Sequence, residues 1–326
     1  MSETTHGPGA RGARGPGVHG IHHVTAIAGD AQANLDFYTG VLGLRLVKRS
    51  VNQDAPTTYH LFYADAAGTP GTDITFFPWP EMGPGRPGAG LAGEVSFAVP
   101  AGSLAWWSDR LDRHAVARDA VETRFGEATL PFADPHGLRL ALVETPEDRP
   151  FAVWPGSPVP PAHQLRGMHA VRLVVRDAAP SARLLTDVLG FAAVGEDGGW
   201  ARYAAAGGGS GTLVDVRAAP EARLGAWGTG VVHHVAWRVP DDAAELAVRA
   251  AVIGAGLRPT EPIDRFWFRS VYFREPGGVL FELATDGPGF ARDEAADHLG
   301  ERLILPPWLE PRRTEIEAAL PRLREG

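Results

Sequence analysis

The chain has 326 residues, 44% of them hydrophobic, a size and composition that fit a globular protein with room for two domains. Its formal charge of −8, with Lys and Arg dispersed beyond the N-terminal segment, argues against a nucleic-acid partner, and the absence of cysteine excludes disulfides, thiolate nucleophiles and Cys-ligated metal centres. No apolar run approaches the roughly 18 residues that a membrane-spanning helix needs, and the start lacks the apolar core of a secretion signal, so a cytoplasmic protein without membrane contact is expected.

Residues 1–19, rich in Gly, Pro and Arg, read as a flexible tail. A first unit, 20–82, opens with the strand HHVTAI, places Asp30 before a helix that ends near Gly43, and continues to the strand GTDITFFPW. The second, 92–145, starts at VSFAV and reaches LRLALVE; together the two make a first half, 20–150. The proline-rich stretch 151–166 (FAVWPGSPVPPAHQL and the residue after it) reads as a linker. In the second half, 167–290, unit three (167–218) runs from AVRLVV through Asp177 and a helix ending near Gly190 to GTLVDVR. Unit four (230–285) runs from HHVAWRV to VLFELAT, its helix Ala243–Ile253 capped by Asp241 and Asp242 and stopped by Gly254 and Gly256. An extension, 291–326, ends in a segment where Ile316, Ala319 and Leu320 form one helical stripe. Its apolar LILPPW is suited to a homo-oligomer contact or to packing on its own domain.

Two shifts expose duplication. An offset of 147 lays Gly20–Leu44 on Gly167–Phe191 without a gap, matching Gly20, His22, Val24, Asp30, Ala31, Thr39, Val41, Leu42 and Gly43 to identical residues. An offset of 141 lays Arg124–Leu142 on Arg265–Leu283. The economical parse is an α+β protein of four βαβββ modules.

Adjacent strand residues face opposite ways. In VVHHVAW, Val231, His233, Val235 and Trp237 therefore share a bulky face, and His234 lies on the smaller, more polar one that lines a cup. Repeat register places His23 at the equivalent position in unit one, whereas unit three has Ala170 there and unit two has no histidine. Glu282, alone in the apolar strand VLFELAT, is costly to bury unless paired or metal-bound; an ion pair with Arg274 is the plain alternative. A lone buried histidine is more often a packed core residue than a ligand, but two at matched positions beside a buried glutamate favour a metal. His23, His234 and Glu282 make a two-histidine, one-carboxylate set, which suits non-haem Fe(II) over Mn(II), Zn(II) or Ni(II). If units one and four supply all three ligands, they share one cup, and units two and three form a second without metal. The remaining histidines, including His60, read as surface or packing residues.

GIHHVTAI, RFWFRSVYFREPGGVLFELATD and LPPWLEPRR together resemble the vicinal oxygen chelate (glyoxalase/bleomycin resistance/dioxygenase) superfamily, and within it the ring-cleaving dioxygenases that act on hydroquinones. The resemblance spans nearly all of the chain after residue 19. It implies cup-shaped mixed sheets, Fe(II) on His23, His234 and Glu282, a small aromatic substrate and O₂. It also implies catalytic or ligand-orienting roles for Tyr272, Arg265, His22 and His233, though strict alternation turns the last two away from the metal. Thr25, Phe266 and Trp267 are candidates for substrate contact, with Phe268 and Trp79 as further aromatic walls. A glyoxalase-like isomerase or lyase, and a non-catalytic binding or resistance protein, are the rival readings of this fold.

Overall fold

Four times along the chain an alternating apolar run turns into a helix and then into three more strands, and each repetition forms a module of the same kind. The computed structural model describes residues 17–146, 149 and 151–324. Most of the expected tail, 1–16, lies outside the described residues, while Val18 at its end is buried and its N–H donates to the Leu189 carbonyl at 3.0 Å.

Unit one forms β1 (Ile21–Ala28), α1 (Ala31–Leu35), β2 (Arg45–Asn52), β3 (Ala55–Ala64) and β4 (Asp73–Pro78). Unit two forms β5 (Leu91–Pro100), α2 (Leu104–Arg113), β6 (Glu122–Arg124), β7 (Glu127–Ala133) and β8 (Arg139–Thr145). Unit three gives β9 (Met168–Val175), α3 (Ala178–Arg183), β10 (Ala192–Asp197), β11 (Trp200–Ala204) and β12 (Leu213–Ala218). Unit four gives β13 (Val232–Val239), α4 (Asp242–Gly254), β14 (Ile263–Asp264), β15 (Arg269–Arg274) and β16 (Leu280–Thr285). The caps are the expected aspartates: Asp30, Asp177 and Asp241 accept from the amides of Ala33, Ala179 and Ala244 at 2.7, 2.9 and 2.9 Å. After α1 and again after α3 the chain widens into i→i+5 turns, closed by Leu42 N–H to Phe37 O and Leu189 N–H to Leu184 O. The duplication thus extends to a local irregularity.

The strands make two eight-stranded mixed sheets, ordered β14-β15-β16-β13-β1-β4-β3-β2 and β10-β11-β12-β9-β5-β8-β7-β6. Unit one therefore pairs with unit four, called here cup one, and unit two with unit three, cup two. This is the pairing that the distribution of His23, His234 and Glu282 required. One core cluster, including Trp107, Trp237, Phe97 and Phe281, joins both sheets and the helices.

Past β16 the extension returns to cup one. Leu305 and Ile316 are buried, and α5 (Arg313–Ala319) packs on β3, with the Tyr59 hydroxyl donating to Pro321 O at 2.9 Å. LILPPW thus lies on its own domain through Leu305, although Trp308 stays exposed. The expected helical stripe is narrower than drawn, because Ala319 is exposed.

Candidate metal centre and its pocket

The seam of cup one is the antiparallel pair β1–β13, and it is bulged twice. Its register steps from Ile21↔Trp237 to His23↔Ala236, skipping His22, and from Thr25↔His234 to Ala26↔Val232, skipping His233. A bulge adds a residue without a cross-strand partner and re-aims the side chains beside it. Strict alternation sends His22 and His233 away from the cup; the bulges bring them back against the ligand rings. His22 Nδ1 lies 2.9 Å from His23 Nδ1, and His233 Nδ1 lies 2.8 Å from His234 Nδ1.

The Nε2 edges of His23 and His234 face each other at 3.3 Å. Glu282 Oε2, from the neighbouring β16, is 2.8 Å from His234 Nε2 and 3.5 Å from His23 Nε2. Its other oxygen accepts the Ser270 hydroxyl at 2.5 Å, whereas Oε2 is buried with no hydrogen-bond partner. All three side chains are buried. Ligand atoms held about 2.1 Å from one ion at right angles stand about 3 Å apart, so these separations and the orphaned Oε2 fit a shared metal ion. Arg274, the alternative partner for Glu282, instead donates to Gly278 O and covers the Trp227 ring.

The electrostatics agree. Burial alone would raise the Glu282 carboxyl, but His23 and His234 outweigh it and hold the group well below the usual carboxylate range. Burial pushes His22 and His233 down to about 3, so both are neutral. A histidine that gives Nε2 to a metal keeps its proton on Nδ1. Neutral His22 and His233 are then the acceptors for the Nδ1–H groups of His23 and His234, fixing the ring planes and the tautomer.

Cup one has an approximate two-fold axis through this seam. The pair His23↔Ala236 becomes Thr25↔His234, so His23 exchanges with His234 and Ala236 with Thr25. Ala236 pairs with Glu282 on β16, and Thr25 pairs with Thr75 on β4, so Thr75 is the counterpart of Glu282. One strand further out, Tyr272 pairs with Glu282 and Phe62 with Thr75.

The pocket above the three residues holds about 40 Å³. Arg265, Tyr272, Trp267 and Phe268 form one wall, His60, Phe62 and Phe77 the other, and Asn52–Asp54 the rim. At the mouth the Arg265 guanidinium pairs with the exposed Asp54 carboxylate at 2.9 Å, and the Gln53 side-chain amide donates to Arg265 O at 2.9 Å. Burial and the charge of Glu282 raise the Tyr272 hydroxyl above its ordinary range, so it is a protonated donor. Trp267 is fixed from behind: its Nε1–H donates to Asp293 at 3.1 Å, and Asp293 with Glu294 binds the buried Lys48 ammonium.

Three expected contacts are not made. Thr25 is fully buried in the cup floor, its hydroxyl bonded to that of Thr75 at 2.7 Å, and does not line the pocket. Phe266 stands outside with φ of 76°, where its N–H caps onto Asp264 and its ring packs on Arg292 and Trp308. Trp79 likewise sits behind Phe77 rather than on the wall. Sequence reasoning missed Ser270, the rim 52–54 and above all His60, which reads as a surface or packing residue and also lines the pocket. Its sequence, TTYHLFYA, did carry a signal, since His60 shares a strand face with Thr58 and Phe62.

The chain is similar to known proteins over nearly its whole length. The model of the Glyoxalase/Bleomycin resistance protein/Dioxygenase superfamily covers residues 20–142 and 167–283. A Bacillus subtilis protein named as a ring-cleaving dioxygenase, MhqO, is 44% identical over 301 residues, spanning 92% of this chain and 95% of its own. Chlorohydroquinone/hydroquinone 1,2-dioxygenase of Sphingobium indicum is 35% identical over 305 residues, spanning 92% and 95%. A crystal structure described as a dioxygenase from Bacillus subtilis superposes with a TM-score of 0.91 at 43% identity, covering 96% of this chain and 99% of that one. Glyoxalase I of Zea mays, at 16% identity and a TM-score of 0.61 over 82% of this chain and 92% of its own, shares the fold.

Proposed function

The chain belongs to the glyoxalase/bleomycin resistance protein/dioxygenase superfamily, and from that premise we propose that it is an Fe(II)-dependent, extradiol-type dioxygenase that opens the ring of a hydroquinone or related dihydroxybenzene with O₂. The observation that carries this reading is the convergence of His23, His234 and Glu282 on one point, with Glu282 Oε2 buried and unpartnered. One carboxylate and two histidines leave coordination positions open, the arrangement used by non-haem Fe(II) oxygenases. A zinc or nickel isomerase of this fold would call for a second carboxylate, and the symmetric position is Thr75.

A ferrous ion held there would lift the spin barrier between a singlet ring and triplet O₂. The chain's own groups do the rest. Tyr272, next to His234 with ring centroids 5.7 Å apart, donates a hydrogen bond toward the bound hydroxyl and exchanges its proton. Arg265, its guanidinium 5.4 Å from the Tyr272 ring, balances the anionic ring and the carbonyl that develops on cleavage. Trp267, Phe268, Phe62 and Phe77 hold a flat ring and exclude water. A volume of about 40 Å³ has room for only a few waters, so a ring enters as the Arg265–Asp54 contact at the mouth yields.

The test is metal content of anaerobically purified protein, followed by O₂ uptake with methylhydroquinone beside catechol. Iron near one per chain and hydroquinone-dependent uptake, lost in His234→Ala, are expected. Tight zinc or nickel without O₂ uptake would overturn the reading in favour of an isomerase.

A further inference from the structure

His60 is the one polar side chain on the β3–β4 wall of the pocket that the proposed chemistry does not use. Its Nε2 is 2.9 Å from the Thr75 hydroxyl, which is 2.7 Å from that of Thr25. The ring is clasped by Phe62 and Phe77, at centroid distances of 3.8 and 4.4 Å.

The approximate two-fold axis gives this contact a meaning. Thr75 is the counterpart of Glu282, and Phe62 that of Tyr272. His60 precedes Phe62 by two residues, as Ser270 precedes Tyr272. The Ser270–Glu282 hydrogen bond on one side is therefore repeated as His60–Thr75 on the other. On the first side the pair ends in a carboxylate that reaches the metal position. On the second it ends in a short, buried threonine, leaving that side of the centre open. The side chain lining the pocket there is His60, with Nε2 spent on Thr75 and Nδ1 left for a ligand.

Resting on the dioxygenase reading above, we propose that His60 is a specificity-determining residue that holds, through Nδ1, the ring hydroxyl remote from the metal, and so favours a para-diol. Strand β3 is two strand spacings, about 10 Å, from β1. It lies on the side of the centre opposite Glu282, where a ring held at the metal would present its far oxygen. An ortho-diol places both oxygens at the metal end, whereas a para-diol places its second at the His60 wall. A hydroxyl donates and accepts, so it complements either tautomer of His60.

The experiment is anaerobic calorimetric binding of hydroquinone and of phenol to the iron-loaded protein, with iron content measured alongside. His60→Phe, which keeps the aromatic packing, is expected to retain iron and the phenol affinity while weakening hydroquinone about tenfold, the worth of one hydrogen bond. Thr75→Val, which frees the Nε2 anchor, is expected to shift hydroquinone in the same direction by less. Equal weakening of both ligands, loss of iron, or no change in hydroquinone affinity would overturn the role of His60. Wild-type protein that takes up no iron would instead remove the dioxygenase reading, and the proposal with it.

Discussion

Where cup one carries His234, cup two carries Glu94 at the same place in the ladder, opposite Arg172 as His234 is opposite Thr25. Where cup one carries His23 and Glu282, cup two has Ala170 and Ala141, again in matching register. Even the bulge is shared, for the β5–β9 pairing skips His169, the repeat partner of His22. The Arg-Phe turn is shared too: Phe125 and Phe266 both take positive φ, 51° and 76°, each just after an arginine. In cup one that arginine is Arg265 at the pocket mouth; in cup two it is Arg124, which binds Glu94 at 2.5 Å.

Cup two closes on itself from there. Asp215 accepts Arg202 at 2.7 and 3.1 Å and Arg172 at 3.3 Å, while Glu127 accepts Arg202 at 2.5 Å and His169 at 3.2 Å. Around the centre, Glu94, Glu127 and Asp215 are paired with Arg124, Arg172 and Arg202, so the buried charges there find partners within the chain. In cup one the central carboxylate oxygen instead faces the imidazole edges of His23 and His234, with no Arg or Lys among the described residues paired to it. The contrast shows how one duplicated scaffold yields a structural core or a candidate metal centre. The outcome depends on whether the central polar groups find partners within the chain.

The sharpest way to break this comparison is to remove a ligand. Glu282→Gln is expected to abolish iron binding and O₂ uptake, whereas Glu94→Gln in cup two leaves iron content unchanged; elemental analysis of the two variants decides. Next in size, Asp215→Ala removes the buried carboxylate shared by Arg202 and Arg172, leaving them Glu127 and Glu94, and should cost about 3 kcal/mol in denaturant unfolding without affecting metal affinity. A metal-affinity loss in that variant would mean that the cups are coupled. His22→Ala and His233→Ala, which remove the acceptors behind the ligand rings, should each weaken metal affinity or turnover by about 10–100-fold. The corresponding His169→Ala should do neither, as a metal titration would read directly.

The smallest effect concerns Glu245 on α4, whose buried carboxyl is raised to about 7, first by burial and then by the charges of Asp242 and Glu282, against Arg269. A carboxyl with a folded pKa above its unfolded value binds more protons when folded. Stability is therefore lost as pH rises from about 4.5 to about 7. Glu245→Gln should flatten that slope and raise Tm at pH 8 more than at pH 5, which thermal scans across this range would show.

Much of this was legible beforehand. Gapless repeats exposed four modules, and matched histidines at 23 and 234 with a lone buried Glu282 identified which modules must meet. Ala141 and Ala170 marked the cup without a metal set. Less legible was whatever depended on a departure from ideal alternation. His22 and His233 face their neighbours only because of bulges, and a bulge is set by the partner strand, not by the residues that it displaces. Thr25 matched the face of His23 yet spends its hydroxyl on Thr75, fifty residues away in sequence. Phe266 read as a wall beside Trp267, but its left-handed turn swings it out.

The sequence by itself determined the modules, their caps and the candidate donor set, because periodicity, capping chemistry and the cost of burying a charge are local properties. Only the tertiary structure decided which side chains share the pocket. His60, the Asn52–Asp54 rim and the Asp293–Glu294 clamp on Lys48 come from segments far apart in the chain. Their meeting depends on sheet register and packing, which no single stretch encodes.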